Sequence, residues 1–453
     1  MNVLLIHPPS ANPLLDKVYM HEPLSLEYLG AGLKEDGHEV EIFDARLEGS
    51  IEKVYHRFRP DIIGLTAFTS HVRIVIAMAE NLKRLDPDLL VVIGGHHATV
   101  SPEDFNVHGI DLVVVGEGVQ ALRDIARCAE AGEGFSAIRG LGLVRPGAEI
   151  LLTEGRSYTP LDELPVPDRS LTRRHRKHYF SEWLQPLASI RTSLGCTSRC
   201  NFCALWPITG GQYLRRSVES VVDELKEIEE PNVFFCDDES MCDVRRMDAL
   251  ADAIDGAGLR KRYFLYARAD TVVLHPELFI KWRKIGLAQV FIGMESFSDE
   301  RLGQLNKGIS IAQQRAAVSL LQDLGLIVYA NFMVDTDFEK EDFARLTAHI
   351  RELELQHVGF SVLTPLPGTE LYRQRRRELV TENPELYDMV HAVLPTRLPL
   401  SEFYSRMLDL YTKSLPLSQT VRSLARFGPI RIWRQLVLLS SFSRYLKKAH
   451  LET

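Results

Sequence analysis

Short apolar runs alternating with helix-period stretches fill the first 125 residues, and few folds accept that alternation. Residues 3–6, 40–43, 62–67, 89–93 and 112–115 read as strands buried on both faces. Residues 24–33, 51–58 and 72–85 carry apolar side chains at helical spacing, with Gly37 stopping the first helix. The order β-α-β-α-β-α-β-β predicts an open, mostly parallel α/β sheet. Ligands of such sheets sit beyond the carboxyl ends of the strands. Those ends here are PPS (8–10), TAFTSH (66–71), GGHHA (94–98) and GEG (116–118). All are small, polar or glycine-rich, so backbone can approach a large ligand and hydroxyls can hydrogen-bond its rim. The same residues also suit tight strand-to-helix turns. No G-x-G-x-x-G follows the first strand, which disfavours a nicotinamide or flavin dinucleotide.

The 453 residues suggest about three structural units. A hydrophobic share of 45% and a charged share of 25% exclude wholesale disorder, collagen-like repeats and a polytopic membrane protein. With 53 basic and 61 acidic side chains and a net charge of −8, the chain is no general nucleic-acid binder. The amino terminus lacks a basic region, and its apolar run stops at His7 and Pro8, so no signal peptide is expected. No apolar run reaches the roughly 18 residues of a membrane span, so the expectation is a soluble, cytoplasmic protein. Six cysteines are too few for a disulfide framework, and three of them crowd together at Cys196, Cys200 and Cys203.

A proline-marked stretch at 160–170 places a linker at 151–185, between a first domain at 1–150 and a second at 186–390. Residues 391–453 are expected to form a helical C-terminal segment. The second domain opens SIRTSLGCTSRCNFCALW: a strand over 189–193, a loop from Gly195, then the three cysteines. Thiolates bind iron–sulfur clusters, and three cysteines on a four-iron cubane leave one iron open to an outside ligand. A closed zinc site needs a fourth nitrogen or sulfur ligand, and none follows at suitable spacing. Cys128, Cys236 and Cys242 read as structural thiols. Strands at 233–236, 263–266, 290–293, 328–334 and 359–363 continue a βα rhythm, six in all. Their ends carry DDES, ARAD, MES, DTD and TPLPGT. In a βα barrel that face assembles the chemistry, which makes Arg268 and Glu295 ligand candidates, with Glu239 and Ser296 in the same loops. A carboxylate after a strand can also be a helix cap.

CTSRCNFC matches the C-x3-C-x2-C motif of the radical S-adenosylmethionine superfamily, including aromatic Phe202 before the third cysteine. GGHHATVSPE and VVGEG resemble the strand ends of cobalamin-binding domains, and VLTPLPGTEL resembles the last barrel strand of the B12-dependent branch. Over about residues 1–390 the chain resembles cobalamin-dependent radical S-adenosylmethionine C-methyltransferases, of the hopanoid C-3 methylase type and of the streptomycete antibiotic type. The resemblance implies an α/β protein: an N-terminal Rossmann-like cobalamin-binding domain, a partial (β/α)6 TIM-type barrel and a helical C-terminal segment. It implies a [4Fe-4S] cluster on Cys196, Cys200 and Cys203, its open iron binding S-adenosylmethionine. Phe202 would lie at the adenine, and Glu239, Arg268, Glu295 and Ser296 at the ribose or methionine groups. Cobalamin would lie over Pro9, Ser10, Thr66, Phe68, Thr69, Ser70, His71, Gly94, Gly95, His96, His97, Gly116, Glu117 and Gly118.

The reaction so implied is C-methylation. One S-adenosylmethionine gives methylcobalamin; a second gives a 5′-deoxyadenosyl radical that takes a substrate hydrogen before the carbon accepts the methyl. The substrate would be a specialised metabolite, such as a pyrrole or aromatic antibiotic precursor, or a hopanoid-type lipid, free or carrier-bound. A flavodoxin- or ferredoxin-type donor would supply electrons. Two features depart from the pattern: no D-x-H-x-x-G motif supplies a lower-face histidine, and VDTDF replaces the glycine-rich sequence after the fifth barrel strand. The first leaves His71 either as a cobalt ligand or as a hydrogen-bonding loop residue. Oxidative cyclases of the magnesium-protoporphyrin type use the same domains without methyl transfer. A cobalamin-binding sensor or carrier would leave the three cysteines without purpose. Methylthiotransferases bring three further cysteines in the amino domain, whereas the first 125 residues here contain none.

Between Lys413 and His450 stand eight Lys or Arg residues and no Asp or Glu. RIWRQLVLLSSFSRYLKK mixes Trp433, Leu436, Val437, Leu439 and Phe442 with basic residues, as an interfacial helix does. The alternatives are a helix docked on the barrel, peripheral attachment to a membrane surface, and docking of an acidic carrier protein.

Overall fold

A computed structural model describes residues 1–182, 184–414, 440, 444–446 and 449. The first sheet contains β1 (Asn2–His7), β3 (Glu39–Asp44), β4 (Ile62–Thr66), β5 (Leu90–Gly94), β6 (Leu112–Val114), β7 (Leu141–Leu143) and β8 (Leu151–Leu152), and β2 (Tyr19–Met20) stands apart from it. Its order is β3-β1-β4-β5-β6-β7-β8, parallel through β6 and antiparallel at β7 and β8. The central strands are buried on both faces because helices cover both. On one face lie α1 (Leu24–Glu35) and a helix at Val119–Ala131, with Leu26, Leu33, Leu122 and Ile125 in the core. On the other lie α2 (Ile51–Phe58) and α3 (Val72–Leu85), with Tyr55, Val75, Ala79 and Leu82. Where the sequence reading ran from strand directly to strand, GGHHA instead continues into a short helix, α4 (His96–Val100). The helix at Val119–Ala131 is therefore α5.

The stretch expected as a linker is packed. It contains a 3-10 helix, Arg169–His178, and β9 (Phe180–Ser181), which pairs antiparallel with β2. Arg169 donates from Nη1 to Glu22 Oε1 (2.8 Å) and from Nη2 to Glu224 Oε1 (2.6 Å) and the Ser189 carbonyl (2.7 Å). Arg176 joins Glu22 and Glu230. These carboxylates come from both sides of the seam between the sheet and the barrel, and all are buried. Removing Arg169 leaves this cluster of buried acids one positive charge short, with Glu22 keeping Arg176 and Glu224 keeping Arg216, so Arg169→Ala should lower the stability of the full chain by ~3–5 kcal/mol in urea unfolding. A loss no larger than that of an exposed ion pair, about 1 kcal/mol, would contradict this description of the seam.

The second sheet orders its strands in sequence: β10 (Leu187–Ile190), β13 (Asn232–Phe235), β14 (Arg262–Tyr266), β15 (Leu287–Glu295), β16 (Ile327–Val334) and β17 (His357–Val362), all parallel. Helices between the strands pack on the outer face and close the largest core. This is the expected partial (β/α)6 barrel. Its inner face is filled at β10, β13 and β14 by Leu184, Leu187, Phe234 and Phe264, and left partly accessible farther along the sheet. Along β16, Ala330, Phe332 and Val334 are buried under the helices, while Tyr329, Asn331 and Met333 alternate with them and stay partly accessible. A closed barrel packs its whole interior with side chains; here the lumen stays accessible beside Tyr266, Phe291 and Tyr329.

The first barrel strand ends three residues before the sequence reading placed it. Beyond Ile190 the chain bends, because Asp237 at the end of β13 accepts from the Thr192 and Ser193 amides (2.6 and 2.8 Å) and the Thr192 hydroxyl (2.7 Å). Ser193–Leu194 then forms its own strand, β11, paired antiparallel with β12 (Leu214–Arg215). That ladder closes the loop that carries the cysteines. Leu400–Lys413 is helical, whereas the basic amphipathic stretch with Trp433, Leu436, Val437, Leu439 and Phe442 lies outside the described residues. Among the described residues no helix is long and apolar enough to cross a membrane.

Candidate active site

At the carboxyl ends of the barrel strands a cavity of about 310 Å³ is lined by Cys196, Cys200, Cys203, Phe202, Glu239, Arg268 and Glu295. Lys307, Asp238, Trp206, Tyr266 and Phe291 also contribute to its wall. Gly195 opens the cysteine loop at φ +93°, where a Cβ would stand 2.0 Å from the Gln212 carbonyl oxygen, and its amide donates to Asp238 Oδ2 (2.6 Å). Only glycine passes this point. Among the described residues no three His, Cys, Asp or Glu side chains converge as a single metal ion would require. The three thiols are spread around one cavity, as ligands to separate irons of one cluster must be. Burial pushes the Cys203 thiol up to about 11 and raises Cys200, so coordination would displace protons from both. The donor set fits the cluster.

Around the thiols the charges are organised in pairs. Glu295 follows a bulge in β15 and takes φ +62°, a strained conformation that re-aims its side chain into the cavity, where Oε1 meets Lys307 Nζ at 2.7 Å. Gly293 leaves room for it, since a Cβ there would lie 2.3 Å from that oxygen. Arg268 forms two bonds of 3.0 Å to Asp270 and one of 2.9 Å to the Lys307 carbonyl. Glu239 is pushed up to about 7 by burial, with Arg268 opposing, and its buried Oε1 has no hydrogen-bond partner. That orphaned oxygen is open to a ligand donor such as an ammonium or a ribose hydroxyl.

A second cavity, of about 240 Å³, lies between the first sheet and the same cysteine loop. Thr66, Gly94, Gly95, Gly116, Glu117 and Gly118 from the ends of β4, β5 and β6 line it, with Leu26, Leu29, Val119 and Leu122 as apolar walls. Arg191 and Leu194, just ahead of Cys196, close its far side, together with Tyr28 and Tyr158. A Cβ on Gly116 would meet nothing within 4 Å; one on Gly95, at φ +100°, would lie 2.6 Å from Thr66 Oγ1. An apolar slot floored by glycine backbone fits a flat, base-sized portion of cobalamin, and its volume does not accept the whole group. The two units touch here: His96 Nε2 is 3.4 Å from the Ala204 carbonyl, and the Tyr158 hydroxyl donates to the Ile208 carbonyl (3.0 Å).

Other residues singled out from sequence have different placements. Glu117 lines the slot, but its carboxylate accepts from the Val119 and Gln120 amides (2.7 and 3.0 Å), capping α5. Ser296 is outside the cavity lining and its hydroxyl accepts from the Ser298 amide (3.1 Å). His97 is held between Thr69 Oγ1 (3.1 Å) and Asp104 Oδ2 (2.8 Å). Ser10 donates to Asp16, and Pro9 and Ser70 do not line the slot. His71, held down to about 4 by burial and then Arg46, accepts from the Phe68 amide at 3.4 Å, while the Phe68 ring is 56% exposed. Lys307, Arg191, Tyr266 and Phe291 escaped the sequence reading. For Lys307 the available signal was only a base just past the short helix, Asp299–Gln304, that follows the strand carrying Glu295.

Residues 16–126 match the B12 binding domain family, and residues 190–350 match the radical SAM superfamily. Hopanoid C-3 methylase of Methylococcus capsulatus is 33% identical over 92% of this chain and 81% of its own length. The anaerobic magnesium-protoporphyrin IX monomethyl ester cyclase of Rubrivivax gelatinosus is 24% identical over 91% of this chain and 77% of its own. Among solved structures, the cobalamin-dependent S-adenosylmethionine radical enzyme OxsB, with aqua-cobalamin and S-adenosylmethionine bound, superposes with a TM-score of 0.74 at 17% identity, covering 99% of this chain and 72% of its own. With a cysteine-lined cavity on one side of a single loop and a glycine-floored slot on the other, the chain belongs to the cobalamin-dependent radical S-adenosylmethionine methyltransferase family, whose cofactors are a [4Fe-4S] cluster, S-adenosylmethionine and cobalamin.

Proposed function

We propose that this enzyme moves a methyl group from S-adenosylmethionine, by way of cobalamin, to an unactivated carbon of an apolar, ring-bearing small molecule held in the barrel lumen. The observation that supports this most is the shared wall: the loop from Arg191 to Trp206 lines the glycine-floored slot with one end and the thiol cavity with the other. A substrate in the lumen would be within reach of both cofactors at once. When bound, the cluster supplies the electron that cleaves S-adenosylmethionine, and cobalamin carries the methyl group.

The chain's own part is positioning. Cys196, Cys200 and Cys203 would hold the cluster, and Arg268 and Lys307 would offer positive charge to the carboxylate of S-adenosylmethionine. Glu239 and Glu295 would take its ammonium and ribose hydroxyls, with Phe202 near the adenine. Thr66, Gly94, Gly95, Gly116 and Gly118 would seat cobalamin. Tyr266, Phe291 and Tyr329 present aromatic faces along the lumen, with Phe291 stacked on Tyr329 at 5.3 Å. Such a surface excludes water and favours an aromatic antibiotic precursor, such as a pyrrole, or a hopanoid-type ring system over a polar sugar. The electrons would come from a flavodoxin- or ferredoxin-type donor.

Turnover should release S-adenosylhomocysteine and 5′-deoxyadenosine in about a one-to-one ratio with methylated product, since each arises from a separate S-adenosylmethionine. Chromatographic quantitation under anaerobic conditions checks this. 5′-Deoxyadenosine formed with substrate consumption but without S-adenosylhomocysteine would favour the oxidative cyclase reading.

A further inference from the structure

The lumen holds one acid that none of the chemistry above uses. Glu182 sits in the turn after β9 at φ +51°, a conformation that non-glycine residues rarely adopt, and its amide donates to the Val18 carbonyl at 2.9 Å. The β2–β9 ladder carries it, with Tyr19 and His21, against the rings of the inner barrel face: His21 lies 4.7 Å from the buried Phe234, which stacks on Phe264 at 4.8 Å and approaches Tyr266 at 5.2 Å. Glu182 Oε2 is buried and has no hydrogen-bond partner. Burial alone shifts this carboxyl, up to about 8; no arginine, lysine or histidine among the described residues offsets it. Its field is felt at Tyr329, whose hydroxyl is driven well above its usual value by burial and then by Glu182, with Tyr19 and Tyr266 adding smaller effects.

A run of aromatic rings links the neighbourhood of the acid to the thiol cavity. Tyr266 and Phe291 line that cavity, their rings are 4.9 Å apart, and Phe291 stacks on Tyr329. Tyr19 keeps 42% of its surface accessible, and burial raises its hydroxyl. Gly359 leaves room for the Tyr329 hydroxyl, which a Cβ there would meet at 2.7 Å.

With no counter-charge among the described residues, this buried carboxyl beside Tyr329 is one positive charge short. Ionising it unpaired costs several kcal/mol, and both a carboxylate and the negative faces of aromatic rings attract a cation. A neutral hydroxyl would gain only one uncharged hydrogen bond there. We propose that the substrate carries a basic nitrogen, which enters the lumen as an ammonium and pairs with Glu182 among Tyr19, Tyr266 and Tyr329. This rests on the reading of the lumen as the substrate site and narrows the substrate to a ring-bearing amine.

Infrared difference spectroscopy on the reconstituted full-length protein tests the pairing without turnover, using benzylamine and benzyl alcohol as probes at neutral pH. In the free protein the carboxylic-acid C=O band of Glu182 should be present, and it should be missing in Glu182→Gln, which keeps the shape of the side chain. Benzylamine should convert that band to carboxylate absorption, while benzyl alcohol should leave it in place and bind at least tenfold more weakly. A band that benzylamine leaves unchanged, equal binding of the two probes, or a carboxylate already ionised in the free protein would each overturn the proposal. Because no methyl transfer is needed, absence of methylated product from any metabolite would count against the proposed function and not against the amine site.

Discussion

Replacing Cys203 by alanine should abolish 5′-deoxyadenosine formation from S-adenosylmethionine. Cys203 lines the same cavity wall as Cys196 and Cys200, and among the described residues no fourth Cys or His lines that wall. Cys236 donates instead to the Ile190 carbonyl (3.3 Å), and Cys242 lies at the Thr197 hydroxyl (3.4 Å). Outer-shell changes at metal centres already cost roughly 10–100-fold, and loss of a ligand from a three-cysteine cluster costs more. The measurement is an anaerobic assay of 5′-deoxyadenosine together with the visible absorbance of the reconstituted cluster. Cys128→Ala, on α5 and packed in the sheet core, serves as the control that keeps both. Cleavage at the wild-type rate by Cys203→Ala would remove the cluster from this site.

Gly94→Phe should strip the protein of cobalamin while leaving the iron content unchanged. Gly94 ends β5 and lines the slot, and an added Cβ would find only ordinary contact, 3.7 Å from the Val114 Cβ. The new Cβ is therefore accommodated at the strand end, and the phenylalanine ring should occupy slot space that cobalamin needs. Gly95 would be the wrong choice: at φ +100°, with the Ala67 amide 2.9 Å from the new Cβ, substitution there deforms the strand end itself. Cobalamin retained after desalting should fall at least tenfold, about 1.4 kcal/mol. Stoichiometric cobalamin in the variant would show that the group is held elsewhere.

The parts of this fold that are readable locally are those with a local cause. Leu4, Leu5 and Ile6 announce a strand buried on both faces because every position is apolar, and α2 and α3 have the bounds their periodicity implies. The cysteines are legible from spacing alone. The end of β10 is not, since Asp237, 45 residues away, captures the Thr192 and Ser193 backbone. The two-residue strands β8 and β9 carry too little pattern to be seen, although β9 places Glu182. Polar residues at strand ends divide by contacts the sequence does not print. Glu295 is aimed into the cavity by a bulge, whereas Ser296, its neighbour, is spent on the Ser298 amide. Lys307 and Glu182 become site residues only through burial among distant elements.

Methyl-deuterated S-adenosylmethionine, incubated with the reconstituted enzyme, a reductant and a metabolite extract, tests the central claim most directly. Mass spectrometry should find a metabolite in which one hydrogen has been replaced by the fully deuterated methyl group, formed in step with 5′-deoxyadenosine. Accumulation of 5′-deoxyadenosine with substrate consumption and no labelled product would contradict methyl transfer.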